Sequence, residues 1–238
     1  MFDVLQSHEQ ITQSRKVLQQ RGVSSVDPAI IRRLRNHKLL RGVNVGHNIK
    51  SWDVLRTLDF IRGSVATNAA ILDIGAYASE ILCSLHKSGY TNLHGVDLNP
   101  GISAMPFRQR VTYKVSDFMH APYPDAMFDV ITATSVIEHG YQGERLFGEV
   151  SRLLKDEGFF VASFDYWPEK LNTDGINLFG MSWTIFSNED VQNMAKLANL
   201  HHMTPHLKIQ SIVPKVGVID TMARKYTFAW IVFKKIAC

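Results

Sequence analysis

The chain has 238 residues, 45% hydrophobic and 20% charged, with a formal net charge of +4. That composition excludes a disordered chain or a fibrous repeat, and the length suits one domain with a small appendage. Two cysteines, Cys83 and Cys238, exclude a disulfide framework and a four-thiolate zinc site.

The longest apolar runs, such as Phe228–Phe233, are strand-length and too short to cross a bilayer. The opening residues lack the basic and apolar regions of a secretory signal. The expectation is a cytoplasmic protein with no membrane partner.

In chain order, residues 1–65 read as helices. Residues 1–50 hold nine Lys/Arg against three Asp/Glu, and Ile30-Ile31-Arg32-Arg33-Leu34-Arg35-Asn36-His37-Lys38 has no interleaved acid. Such a face attracts phosphates or carboxylates, or serves only as a solvated surface. Val54, Leu55, Leu58 and Ile61 share one helical face, with Ser51 as cap. This segment has too few large apolar residues for its own core, so 1–65 is expected as a helical cap on a main domain over 66–238.

From residue 70 strands and helices alternate. Ala69–Gly75, Leu93–Asp97, Val111–Val115, Phe128–Ala133 and Phe159–Phe164 read as strands. Leu207–Val213 and Tyr226–Lys234 read as two more. Helices are expected from Ile81, over about 143–155, and after a Ser187 cap with Val191, Met194, Ala195 and Ala198 inward. Near-continuous apolar strands separated by helices imply a doubly wound, mostly parallel α/β sheet covered on both faces. Such sheets bind ligands beyond the carboxyl ends of their strands.

The turns at those ends carry Asp73-Ile74-Gly75-Ala76-Tyr77-Ala78-Ser79-Glu80, then Asp97, then Asp117-Phe118, then Ser135-Val136-Ile137-Glu138-His139. With Leu153-Leu154-Lys155-Asp156-Glu157-Gly158 further on, the chain resembles the class I S-adenosylmethionine-dependent methyltransferases over roughly residues 69–165. The resemblance implies a seven-stranded Rossmann-like sheet and S-adenosyl-L-methionine as cofactor. Asp73 and Gly75 match the first turn, where the methionine end is held. Asp97, 24 residues after Asp73, matches the acid that accepts from the ribose hydroxyls. Asp117 matches the acid that accepts from the adenine amine. Leu98 or Phe118 would pack on the adenine ring, and Ser135 joins the set.

Tyr77 and Ser79 stand where the family has its second and third glycines. Either they hydrogen-bond the cofactor's carboxylate or ammonium, or binding is lost and the protein is an inactive relative. Methyl transfer to a hydroxyl needs a base. His139 is the first candidate, because imidazole titrates near neutral pH. Asp165 and Tyr166 follow, and a structural His139 is the competing reading. Glu138-His139 lacks a third ligand, so no metal is expected.

The base-amine signature Asn/Asp-Pro-Pro-Tyr is absent; Thr132-Ala133-Thr134-Ser135 stands there. The loop from Asp165 to Phe186 holds Tyr166, Trp167, Pro168, Lys170 and Trp183, like a lid over a polar substrate, with Trp183 read as a staple to the sheet. Lys50 and Trp52 are placed beside the cofactor. The expected acceptor is a small polar or saccharide-type molecule, methylated on oxygen. Nucleic acid is disfavoured and a homodimer is compatible. An RNA methyltransferase using the basic segment is the rival enzyme.

Overall fold

A computed structural model describes residues 1–237; Cys238 lies outside them. The elements in chain order are β1 (Phe2–Val4), α1 (His8–Gln20), α2 (Ala29–Asn36), α3 (Ser51–Ser64), β2 (Ala70–Ile74), α4 (Ile81–Lys87), β3 (Asn92–Asp97) and β4 (Val111–Val115). There follow β5 (Phe128–Thr134), α5 (Gly143–Leu153), β6 (Leu154–Tyr166), β7 (Asn177–Leu178), β8 (Met181–Ser182), α6 (Asn188–Leu200), β9 (Met203–Pro205), β10 (Ile219–Thr221) and β11 (Arg224–Lys235).

The chain divides into two compact units. One is Ile11–Pro122; the other joins Met1–Gln10 to the chain from Tyr123 onward.

In the Ile11–Pro122 unit, β2, β3 and β4 are parallel neighbours. All five residues of β2 are buried, as expected for a strand covered on both faces. Ile74 pairs with Val96 and Val96 with Lys114, so the turns that follow leave from one edge of these strands. Gly95, inside β3, permits close packing. A Cβ there would lie 2.8 Å from Ala76 Cβ and Leu82 Cδ1, so no larger residue fits without displacing the turn and helix α4.

The N-terminal helices of this unit are tied to the first turn by charge. Arg15 donates to Glu80 through both terminal nitrogens, at 2.7 and 2.8 Å, and Ser25 N donates to Glu80 Oε1 at 2.7 Å. The two side chains are only 9% and 1% exposed. α3 buries Val54, Leu58 and Ile61, as its spacing requires, and Trp52 as well. Ser51 is not a cap; it is buried, and its hydroxyl accepts from Arg15 Nε at 2.9 Å.

In the other unit, β5 and β6 are parallel, while β11 runs antiparallel to β6 and β1 antiparallel to β11. The Asp156-Glu157-Gly158 turn is real but sits inside β6, as a bulge with Glu157 at φ +65°. Gly158 is needed there, since a Cβ would lie 2.8 Å from Lys155 O. α6 is capped by Ser187, whose hydroxyl accepts from Asp190 N while Asp190 Oδ2 accepts from Ser187 N. Its buried face is Val191, Met194, Ala195 and Ala198.

Two expectations fail. Phe2–Val4 is a strand, and Leu207–Val213 is not one. One edge of β11 is taken by β6, and the other is filled by β1 at 229–231 and β9 at 233–235. The alternating apolar residues of 207–213 therefore have no ladder to join there, and Leu207 and Val213 stay exposed. No helix among the described residues is long and apolar enough to cross a membrane.

Replacing Glu80 with Ala strips a buried guanidinium of its carboxylate, and the expected cost is about 3–5 kcal/mol. Urea unfolding measures it. A change under about 1 kcal/mol would remove the pair from its anchoring role.

Candidate active site

The Ile11–Pro122 unit gathers most of the residues expected around a cofactor. Beyond β2 the chain turns through Gly75 at φ +70° and Ala78 at φ +60°. Two left-handed residues in four fold the turn tightly, and its N–H groups are bonded within the unit, Ala76 N to Val96 O and Ser79 N to Ala76 O. Tyr77 N donates to Asp97 Oδ2 at 2.9 Å, and Asn99 N donates to Asp97 Oδ1 at 2.7 Å. The Asp97 carboxylate is thus fixed by one N–H on each oxygen. A carboxylate has about four acceptor sites, so capacity remains for two hydroxyls.

Leu98, beside it, is 58% exposed, an aliphatic platform next to an acid. Asp117 is exposed too; its Oδ1 accepts from Met119 N at 2.9 Å and holds the 118–120 turn, on which Phe118 is half-buried. Asp97 and Asp117 follow neighbouring parallel strands, with Asp97 level with Val115.

Asp73, Ser79, Tyr77 and Trp52 sit differently from expectation. Asp73 is 1% exposed inside β2. The Ser79 hydroxyl accepts from Ile81 N at 3.3 Å and serves the first turn of α4. The Tyr77 ring lies over Gly101, where a Cβ would be 2.7 Å from its Cε2, so the ring belongs to the turn after β3. Gly46 N donates to Ala78 O at 2.7 Å, fixing the turn from outside. Lys50 faces Asp53 at 3.9 Å, and Trp52 is buried, so Trp52 acts in the core.

The other unit carries the candidate bases. Ser135, at φ +52°, ends β5, and its N–H donates to Ser163 O at 2.9 Å. His139 is half-buried, bridges Trp183 through the backbone, and sets its ring edge-on to Phe179 at 5.1 Å.

Asp165 is buried, and its Oδ2 accepts from Trp183 Nε1 at 2.8 Å. This pair is the staple expected of Trp183, and it commits Asp165 to holding the loop. Tyr166 is fully buried; its hydroxyl lies 2.6 Å from Asn188 Oδ1 and 3.2 Å from Ile212 O. Burial pushes its phenol up to about 12. A phenol so buried and bonded is structural, which corrects its reading as a base.

The sequence reading missed Tyr226. Burial first, and the nearby Asp165 charge second, drive its phenol far up, with Glu138 adding to the effect. No local motif marks Tyr226, because only the fold of β11 brings it to Asp165. The loop after β6 opens a pocket of about 490 Å³ whose wall includes Asn172, Thr173, Asp174, Asn177, Ser182 and Thr184.

Residues 72–162 match the sequence family described as a methyltransferase domain. Over that stretch the chain is similar to methyltransferase domains. Its fold is similar to a putative sarcosine dimethylglycine methyltransferase from Galdieria sulphuraria, with a TM-score of 0.56 at 15% identity over 94% of this chain and 98% of that one. Geranyl diphosphate C-methyltransferase from Streptomyces coelicolor gives 0.59 at 13% identity over 76% and 78% of the two chains. Phosphoethanolamine N-methyltransferase 2 from Haemonchus contortus gives 0.60 at 16% identity over 77% and 52%. Identities this low establish the Rossmann-like methyltransferase fold alone. No curated protein matches the sequence.

Tyr166→Phe should cost about 1 kcal/mol in thermal unfolding, the worth of one buried hydrogen bond, and leave methyl transfer intact. Lost transfer at unchanged stability would return the phenol to the chemistry.

Proposed function

We propose that the protein is an S-adenosylmethionine-dependent methyltransferase acting on a hydroxyl of a small polar or saccharide-type acceptor. The observation that carries the reading is the Asp97 carboxylate, fixed by Tyr77 N and Asn99 N at the carboxyl edge of parallel strands. It fits a ribose diol. The exposed aliphatic Leu98 and the half-buried Phe118 offer apolar contact for adenine, and Asp117 retains an oxygen for its amine. When bound, S-adenosylmethionine supplies a methyl group on a positively charged sulfur.

The protein's part is positional. Asp97 and the 75–79 turn hold the nucleoside and its methionine tail. His139, in its neutral form, takes the proton of the acceptor hydroxyl. Asp165 and Tyr166 position: the first fixes Trp183, the second anchors Asn188.

Several features support a saccharide-type acceptor. The pocket beyond β6 offers amide and hydroxyl side chains, with the charged Lys170 and Asp174 beside them, which suit a polar, hydroxylated acceptor. The strand that forms part of its wall is tied to the His139 turn, since Gly140 N donates to Ser182 O and Thr184 N to Glu138 O. The RNA reading loses two of its cations to internal bonds. Arg32 donates to Gly46 O, and Arg35 is paired with Asp27.

Calorimetry with S-adenosylhomocysteine and a sugar-acceptor screen test the reading. Asp97→Ala should weaken nucleoside binding by about 100-fold, as expected when two charge-assisted hydrogen bonds are lost. His139→Ala should leave that affinity unchanged and lower turnover about 100-fold or more. No heat with the wild-type protein, or the reverse order of effects, would overturn these assignments.

A further inference from the structure

Methyl transfer leaves one feature of the chain unused. Between Asp27 and Asp53 there is no acid, yet six cations: Arg32, Arg33, Arg35, Lys38, Arg41 and Lys50. Three of them have work inside the protein. Arg32 donates to the Gly46 carbonyl at 2.8 Å, Arg35 pairs with Asp27, and Lys50 faces Asp53.

Arg33, Lys38 and Arg41 remain, all exposed. They are interspersed along residues 30–41 with exposed aliphatic side chains. Ile30 is 61% exposed, Leu39 74% and Leu40 40%. Helix α2 buries none of its residues. It ends at Asn36; two residues further on, Lys38, left-handed at φ +58°, turns the chain into Leu39, Leu40 and Arg41, all exposed.

We propose that this face, residues 29–41, docks on the surface of an anionic lipid bilayer. Uncovered leucine and isoleucine beside unpaired arginine and lysine match a surface with phosphates outside and hydrocarbon just beneath. The cations meet the headgroups, and the aliphatic tips enter the boundary below them. RNA offers the phosphates without the hydrocarbon. Bound to RNA alone, Ile30, Leu39 and Leu40 would stay in water.

The proposed contact is peripheral, with cations at the headgroups and aliphatic tips just below them. The proposal does not depend on methyl transfer, and its test needs no cofactor.

The test is co-sedimentation of the full chain with vesicles of phosphatidylcholine alone, or with roughly one-third phosphatidylglycerol. Binding should require the anionic lipid and fall steeply in about 0.5 M salt. Arg33→Gln should weaken it about five-fold, and Lys38→Gln by a similar factor. Leu39→Ser with Leu40→Ser should weaken it more than about ten-fold, at an unchanged unfolding midpoint. If the leucine variant is unstable, the two charge variants carry the test. Equal binding to neutral vesicles, no binding to either, or steeply salt-dependent binding to single-stranded RNA without vesicle binding would each overturn the proposal.

Discussion

The Ile11–Pro122 unit depends on one buried carboxylate. Glu80 closes the turn after β2, and Arg15 from α1 and Ser25 N from the segment beyond it both reach it. A buried charge is tolerable only when its hydrogen-bonding capacity is met, and here three donors meet it. Gly46 must then pass so close that a Cβ would lie 3.0 Å from Glu80 Oε2. That approach places its N–H on the Ala78 carbonyl. Ala78 is left-handed, a conformation that costs a non-glycine residue roughly 1 kcal/mol or more. The turn keeps this shape because contacts from several directions fix it. The consequence for function is that Tyr77 N is already aimed at Asp97.

Much of this was legible along the chain because it is written locally. Apolar runs ending in Gly75, Asp97 and Asp117 mark strand ends, and the register of β2, β3 and β4 carries those ends to a common edge. The α6 capping box and its inward face follow from four consecutive residues and a period of 3.6. What was not legible is long-range. The strand Phe2–Val4 is too short to show a period, and it forms only because β11 presents an edge more than 220 residues away. The same edge explains why 207–213, patterned as a strand, is irregular. Glu80 could have been suspected as the acid just past the family's third glycine position, but nothing local names Arg15 as its partner.

The candidate catalytic residues show the same division. Asp165 and Tyr166 sit at a strand end, where chemistry is sought, yet the fold uses both as fasteners. Asp165 takes the Trp183 indole, and Tyr166 takes Asn188 beside the α6 cap. A long loop needs such ties, because its own backbone makes few regular hydrogen bonds. His139 is left as the side chain of the three with a ring only half-buried, its backbone tied to the loop and its imidazole against an exposed phenylalanine.

The central claim is that Asp97, set by two backbone N–H groups, grips a nucleoside diol. A crystal structure of the protein with S-adenosylhomocysteine tests it most directly. The account requires both ribose hydroxyls within hydrogen-bond distance of the Asp97 carboxylate, with Tyr77 N and Asn99 N still on it. A nucleoside bound elsewhere, or an Asp97 that must release both amides to make room, would contradict it.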